Sequence, residues 1–201
     1  MFSGIIEAQS QIIIYQPNLN ANSKSIRILV KKPQSFDDLK IGDSVCINGV
    51  CLTLEAFTFD EMQFCLGAET LNILGASLDQ WSKYGLNLER SLKLGDRIHG
   101  HLVTGHVDGL GKITESYQDG ESWQVVIRLP QDIINFFWKK GSVCLHGVSL
   151  TVNDIQNDLI AVCLIPETIA ATSLSKILVG SFLNIEADYL AKAYFQLKVK
   201  S

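Results

Sequence analysis

No apolar run in this 201-residue sequence approaches the roughly 20 residues needed to cross a bilayer as a helix. The opening residues, Met1-Phe2-Ser3-Gly4-Ile5-Ile6-Glu7, carry no basic stretch of the kind that begins a secretory signal, which sets the expectation of a cytoplasmic protein. Lysine and arginine are scattered, and the formal net charge is −4. Without a basic block there is no groove suited to nucleic-acid phosphates and no polybasic membrane anchor. The five cysteines, Cys46, Cys51, Cys65, Cys144 and Cys163, are odd in number and form no C-x-x-C pair, against both a disulfide framework and a zinc knuckle. Glycine-rich phosphate loops (G-x-G-x-x-G, G-x-x-x-x-G-K-[ST]) and the G-x-S-x-G elbow are likewise missing, and no carboxylate pair stands out for glycoside chemistry.

What the chain does have is a 47% hydrophobic composition, enough for a packed core, and an internal repeat. Gly42 to Leu54 aligns without gaps on Lys140 to Val152, sharing Ser-Val-Cys, Gly-Val and Leu-Thr. Glu69-Thr70-Leu71 matches Glu167-Thr168-Ile169, and Leu86-Asn87-Leu88-Glu89 matches Leu183-Asn184-Ile185-Glu186. Ser3-Gly4-Ile5-Ile6-Glu7 matches Thr104-Gly105-His106-Val107-Asp108. These collinear matches divide the chain into modules of residues 1–100 and 101–187, with a tail over 188–201.

Each module reads as β-structure. Short apolar or alternating runs (Ile12 to Tyr15, Ser25 to Val30, Ser44 to Ile47, Val50 to Glu55, Gln63 to Leu66) are punctuated by Gly, Asn and Asp. Asn48-Gly49 and His146-Gly147 sit where a tight hairpin turn needs left-handed residues. About six short strands per module point to a small closed barrel. Short helices are expected at Phe36 to Leu39 and Pro130 to Trp138. The tail is the best helix candidate, with Leu190, Ala193, Tyr194 and Leu197 on one face that must dock on its own barrel or on other subunits.

Several positions look chemical. Cys51 is matched in the repeat by Ser149, and both follow a glycine turn, as ligand-lining hydrogen-bonding groups would. Thr53 and Thr151 lie two residues on, hence on the same strand face. His99, His101 and His106 cluster at the junction, which leaves open a metal site, backbone-bonded imidazoles, or ligand binding or acid–base work by His106. Asp188, aligned with Ser91, suits a helix cap.

Taken in order, these stretches resemble the riboflavin synthase family of lumazine-binding repeats. The residues that carry the resemblance are M-F-S-G-I-I-E at the start, N-G-V-C-L-T in module one, G-H-L-V-T-G-H-V-D-G at the junction, G-V-S-L-T-V-N and I-P-E-T in module two, and N-I-E-A-D near the end. The resemblance spans essentially the whole chain. It implies an all-β fold of two tandem six-stranded Greek-key barrels with a short C-terminal α-helix, and a homotrimer joined through those helices. It implies dismutation of two 6,7-dimethyl-8-ribityllumazine molecules into riboflavin and 5-amino-6-ribitylamino-pyrimidinedione by four-carbon transfer. No metal or redox cofactor is implied, and an association with lumazine synthase is compatible with it.

Carried over residue by residue, the resemblance places Cys51, His106, Ser149 and Asp188 in catalysis. It places Gly4, Ile5, Ile6, Ser44, Cys51, Leu52, Thr53 and the run Cys65, Leu66, Gly67, Ala68, Glu69, Thr70 against substrate in the first module, closed by Gly105, His106 and Val107. In the second module the matching positions are Lys140, Ser149, Leu150, Thr151 and the run Cys163, Leu164, Ile165, Pro166, Glu167, Thr168. Three departures are visible: His146 replaces the family's usual Asp, the segment Asn72 to Ser77 is longer than usual, and Leu66-Gly67-Ala68 replaces a more typical Met-Pro or Met-Lys. Two other readings remain: a lumazine- or flavin-binding protein without turnover, and a metal-binding β protein using the junction histidines.

Overall fold

The structure, a computed structural model, describes residues 1–17 and 25–199; Lys200 and Ser201, the end of the expected tail, lie outside the described residues. The first module comprises β1 (Ala8–Ser10), β2 (Ile12–Pro17), β3 (Ile26–Lys31), β4 (Ser44–Ile47), β5 (Val50–Phe57), β6 (Glu61–Leu66), helices α1 (Ala68–Leu74) and α2 (Leu78–Tyr84), and β7 (Leu86–Arg90). The second comprises β8 (Gly109–Asp119), β9 (Ser122–Arg128), β10 (Ser142–Leu145), β11 (Val148–Thr151), β12 (Asp154–Gln156), β13 (Leu159–Leu164), helix α3 (Pro166–Ala171) and β14 (Phe182–Ala187), followed by helix α4 (Tyr189–Val199).

Each module is a seven-segment antiparallel sheet, ordered β1-β7-β4-β5-β6-β3-β2 and β11-β10-β14-β8-β9-β13-β12. The expected six strands are present once a bent strand is counted as one. β1 and β2 are consecutive, separated only by Gln11, yet they lie on opposite edges of the sheet. Their counterpart β8 does the same job unbroken. Its start pairs with β14 and its end with β9, and the register shifts between Ile113 and Glu115. In the second module the interruption falls instead between β11 and β12, where β5 runs through with a shift between Leu54 and Ala56. Such bulges bend the strand so that it leaves one neighbour and joins the next, which closes a barrel.

Strand alternation sorts side chains in both modules. Met62, Phe64 and Leu66 on β6, and Ile160, Val162 and Leu164 on β13, are buried, whereas Glu61, Gln63 and Cys65, and Leu159, Ala161 and Cys163, face outward. Each module therefore has its own apolar core.

The sequence reading of helices was incomplete. Phe36 to Leu39 forms no helix, only a bend at Asp38, with Phe36 and Leu39 packed into the first core. Only Ile134–Phe136 of the second expected helix forms, as a single 3-10 turn. The unexpected helices α1 and α2 bring Leu74 and Trp81 into the first core. The longer Asn72 to Ser77 segment lies here, and it and α2 reach the other barrel: Ser77 Oγ donates to Asn184 Oδ1 at 3.1 Å, and Phe182 N donates to Gln80 Oε1 of α2 at 3.1 Å. No helix among the described residues is long and apolar enough to cross a membrane.

Candidate functional site

A pseudo-twofold axis relates the two barrels, and the glycine turns meet on it. Asn48 and His146 adopt φ values of 49° and 50° in matching hairpin turns, the left-handed region the sequence required. A Cβ on Gly49 would fall 2.9 Å from Gly147 N, and one on Gly147 would fall 2.9 Å from Gly49 N. Asn87 N donates to Asn48 Oδ1 at 2.7 Å, and its mate Asn184 N donates to His146 Nδ1 at 2.9 Å. His146 thus does what the amide oxygen of Asn48 does in the other turn. Its Nδ1 must accept, so the ring is neutral, and burial holds its pKa down at about 3. The departure from the family's usual Asp is a turn-shaping one.

The junction segments are exchanged between barrels. Phe2 and Val103 bridge antiparallel, each backbone N donating to the other's carbonyl at 2.8 and 3.1 Å. Beyond that bridge, Ser3 N, Ser3 Oγ and Gly4 N donate to Glu89 at 2.7, 2.9 and 3.0 Å. Thr104 N, Thr104 Oγ1 and Gly105 N donate to Glu186 at 2.7, 2.7 and 2.8 Å. Each glutamate thereby anchors its own module's leading segment. Burial raises the Glu89 carboxyl to about 7, with the Ser3 and Gly4 donors pulling it down.

The anchored segments reach across the axis. Cys51 N of the first module donates to Gly105 O at 2.8 Å, and Ser149 N of the second donates to Gly4 O at 2.7 Å. A Cβ on Gly105 (φ +79°) would sit 2.5 Å from Cys51 Cβ, and one on Gly4 (φ +75°) 2.6 Å from Ser149 Cβ. Only glycine fits at either place. The divergent pair Cys51 and Ser149 therefore occupies equivalent positions, each closed by the other barrel.

Directly opposed residues in an antiparallel ladder share a face, so the outer face of each barrel can be read from register. Ser44 faces Thr53 and Cys46 faces Cys51; Ser142 faces Thr151 and Cys144 faces Ser149. Farther round, Arg27 opposes Cys65 and Gln124 opposes Cys163. Arg27 pairs with Glu55 at 2.8 Å, whereas Gln124 Nε2 contacts Cys163 Sγ at 3.5 Å. One barrel thus presents a charge pair where the other presents a neutral amide. Cys46 and Cys144 are buried with Phe2 and Val103, and burial pushes both thiols well up, whereas Cys51 is half-exposed.

The expected binding runs divide by side chain. Leu52, Leu66, Leu150 and Leu164 point into the barrel cores, so only their backbones are available to a ligand. Gly67 and Ile165 are the extended residues that open α1 and α3, with Ala68, Glu69 and Thr70, and Pro166, Glu167 and Thr168, in those helices. Ile5 and Ser44 border an open cleft of about 730 Å³ that also meets Arg90, Lys93, Asp96 and His99. Ile6 packs against the second core and Val107 against the first, repeating the exchange of segments. Lys140 holds φ at 70° where its repeat mate Gly42 has 94°, and Lys140 N donates to Val152 O as Gly42 N does to Leu54 O.

His106 is exposed, its backbone N donating to Thr104 Oγ1 at 3.3 Å. Asp188 Oδ1 accepts from Leu190 N at 2.9 Å, which makes it the cap of α4. The junction histidines lie outside any strand, so His99 and His101 share no strand face. Among the described residues no group of three or more His, Cys, Asp or Glu could hold a metal ion.

Sequence reasoning missed two groups. Ser142 is the repeat mate of Ser44, and the alignment alone could have found it. His101 Nδ1 lies 2.7 Å from Ser149 Oγ, a contact no spacing rule announces.

Helix α4 docks through Lys192, which pairs with Asp108 at 3.0 Å, and Phe195, edge-on to Phe136 at 5.3 Å. The apolar face expected from the sequence points the other way: Leu190 is 66% and Tyr194 70% exposed.

The profile of a family described as "Lumazine binding domain" matches residues 3–91 and again 104–188. A riboflavin synthase of Bacillus subtilis (strain 168) is 31% identical over 202 residues, covering 100% of this chain and 91% of that protein. One of Mycobacterium bovis is 37% identical over 203 residues, covering 96% of this chain and 95% of that protein. Among solved structures, LumP complexed with riboflavin superposes with a TM-score of 0.83 at 21% identity, covering 93% of this chain and 99% of that one. LumP complexed with 6,7-dimethyl-8-(1'-D-ribityl) lumazine gives 0.80 at the same identity and coverage.

Proposed function

This chain belongs to the lumazine-binding domain family in both of its halves, and from that membership we infer that it is a riboflavin synthase. It converts two molecules of 6,7-dimethyl-8-ribityllumazine into riboflavin and 5-amino-6-ribitylamino-pyrimidinedione by moving a four-carbon unit from one to the other. The atoms of the two substrates are redistributed between the two products, so no external oxidant enters the balance.

The observation that carries the reading is the matched but unequal pair of sites. Two identical molecules must react in different roles, and the repeat offers two equivalent positions that differ in chemistry, Cys51 under Gly105 and Ser149 under Gly4. We assign Cys51 and His106 to proton transfer or nucleophile addition at one lumazine, and Ser149 and Asp188 to binding and polarising the other. The outward Ser44, Thr53 and Cys65, and their mates Thr151 and Cys163 with Lys140, line the two ligand faces in this reading. Holding both reactants in one orientation supplies much of the acceleration, roughly 7–11 kcal/mol in favourable intramolecular models.

We divide the chain into barrels over residues 1–100 and 101–187 with the helical tail over 188–201. The exposed Leu190 and Tyr194 support assembly into a homotrimer in which the first barrel of one subunit faces the second barrel of a neighbour. A cytoplasmic location and an association with lumazine synthase belong to the same reading; fractionation and co-purification test them.

The decisive experiment supplies purified protein with the lumazine and follows flavin absorbance. Flavin formation is expected. A protein that binds the lumazine tightly and forms no flavin overturns the synthase reading in favour of a binding protein.

A further inference from the structure

Two cysteines of the first barrel stand directly opposite each other across one hairpin. Ile47 and Val50 flank the two-residue Asn48-Gly49 turn and form its closing hydrogen-bonded pair, which makes the next pair, Cys46 and Cys51, a non-hydrogen-bonded one. The backbone agrees, because Cys51 N donates to Gly105 O rather than across the hairpin. At such a pair the Cα atoms approach to about 4.5 Å and the two side chains lie close on one face. That separation falls within the roughly 4.4–6.8 Å that a disulfide spans. Both residues are free thiols.

Their surroundings differ. Cys46 is 1% exposed and packs with Phe2, Val103 and Cys144. Burial, with the charges of Glu89 and Glu186 adding to it, pushes its thiol well up, so Cys46 is both shielded and held protonated. Cys51 is half-exposed, so a small oxidant meets it first and finds Cys46 behind it. An accessible thiol backed by a second thiol is the arrangement of a reversible oxidation site. The repeat supplies the contrast. Across β7, β4 and β5 the outer face reads Glu89, Cys46, Cys51; across β14, β10 and β11 it reads Glu186, Cys144, Ser149. The second row lacks only the terminal sulfur. Cys65 and Cys163 lie opposite Arg27 and Gln124, so neither faces another cysteine.

We propose that Cys46 and Cys51 form a reversible disulfide when the protein meets a hydroperoxide, an oxidation site that disables the first barrel and has no counterpart in the second. The step balances. The Cys51 sulfur takes the terminal oxygen of the peroxide as the O–O bond breaks, giving a sulfenic acid and water or an alcohol. The Cys46 sulfur then attacks the Cys51 sulfur; the S–S bond forms, the S–O bond breaks, and hydroxide leaves as water with the Cys46 proton. The two thiols together lose two electrons and the peroxide gains two. A dithiol reverses the change by exchange. The crosslink stands on the hairpin geometry, and its effect on turnover rests on the synthase reading above, because the bond ties up the Cys51 sulfur.

The test exposes the full chain to a small molar excess of hydrogen peroxide, unfolds it, blocks the remaining thiols with iodoacetamide, reduces it and labels the released thiols with N-ethylmaleimide. Maleimide is expected on Cys46 and Cys51, with iodoacetamide on Cys65, Cys144 and Cys163. Flavin formation is expected to fall by about 100-fold in fully crosslinked protein, the size of a lost proton-transfer group, and to return with dithiothreitol. In Cys46→Ala the same peroxide leaves Cys51 without a partner, so it goes on to sulfinic acid and dithiothreitol restores nothing. Iodoacetamide on all five cysteines, maleimide on Cys144 in place of Cys51, or full recovery of Cys46→Ala overturns the proposal. Should Cys46→Ala fail to fold, the labelling of the wild type decides alone. Crosslinked protein with undiminished flavin formation refutes the switch. An untreated chain that makes no flavin refutes the synthase reading, and the labelling pattern then decides the disulfide by itself.

Discussion

His146 offers a sharp thermodynamic test of how the two barrels are joined. It sits buried on the pseudo-twofold axis and its Nδ1 accepts the Asn184 N–H at 2.9 Å. Protonating that nitrogen would set one N–H against another, and burial alone holds the folded-state pKa near 3 against an ordinary 6.5. The unfolded chain therefore takes up a proton that the folded chain refuses. The depressed value contributes stability that is full above the unfolded pKa and drains away as pH falls toward the folded one. From about pH 7.5 to about pH 5 the loss works out at about 2 kcal/mol. Glu89 acts in the opposite sense: its folded pKa is raised to about 7, so its contribution is present at low pH and lost as pH rises through that value. The wild-type profile is thus a difference of two opposed effects, and a variant is needed to separate them. His146→Asn copies the twin turn, where Asn48 Oδ1 accepts the matching Asn87 N–H at 2.7 Å. Urea denaturation followed by tryptophan fluorescence at both pH values should show the variant gaining about 2 kcal/mol on the wild type as the solution is acidified. A stability difference between the two proteins that does not change with pH refutes this account of His146.

Gly105→Ala should cost about 2–4 kcal/mol, because the new Cβ meets Cys51 Cβ at 2.5 Å in a left-handed backbone. Gly120→Ala (φ +62°, open space) serves as the control and should cost about 1 kcal/mol; equal melting shifts would remove the steric argument. Lys140→Gly should raise stability by about 0.5–1 kcal/mol by relieving a positive φ, while weakening lumazine binding measured by fluorescence titration. Unchanged binding would take Lys140 out of the site. Cys51 should react with a small alkylating reagent ahead of Cys46 and Cys144, whose thiols are buried and held protonated, as peptide mapping would reveal. Tyr194→Lys together with Leu190→Lys should shift sedimentation toward single chains; an unaltered oligomer would exclude the outward face of α4 from assembly.

The repeat carried most of the architecture into the sequence. Strand positions followed from the alternation around Met62-Gln63-Phe64-Cys65, and the turns followed from Asn48-Gly49 and His146-Gly147, because period-two burial and positive φ are local demands. Helices α1 and α2 were illegible for a physical reason. Ala68–Leu74 and Leu78–Tyr84 are each too short to show a helical stripe, and what fixes them is the burial of Leu74 and Trp81 in a core the sequence does not display. The alignment singled out Cys51 against Ser149, since divergence at a matched position is visible in one chain. The exchange that closes those positions was hidden, because Gly4 and Gly105 look like any turn glycine until the other barrel is laid against them. The His101 contact was hidden in the same way, and His101 was weighed only as a metal ligand or a backbone-bonded imidazole.

The exchanged glycine segments also set a timetable for the growing polypeptide. Ser3 is synthesised well before its carboxylate partner Glu89, which lies 86 positions further along. Ser149, whose amide needs the Gly4 carbonyl, comes later still, in the second module. The leading segment is thus made before its partners and satisfied late. Its closure against β7 must wait for the whole first module, and the pocket around Cys51 must wait for Gly105. Long-range pairing of this kind is slow, because loop-closure entropy is spent before any contact repays it. Until the junction emerges, the nascent first barrel displays Phe2, Cys46 and the unpaired Cys51 amide to whatever is nearby. The same interlock that pairs the Cys51 and Ser149 amides in the finished molecule makes its half-built state the one most exposed to misassembly.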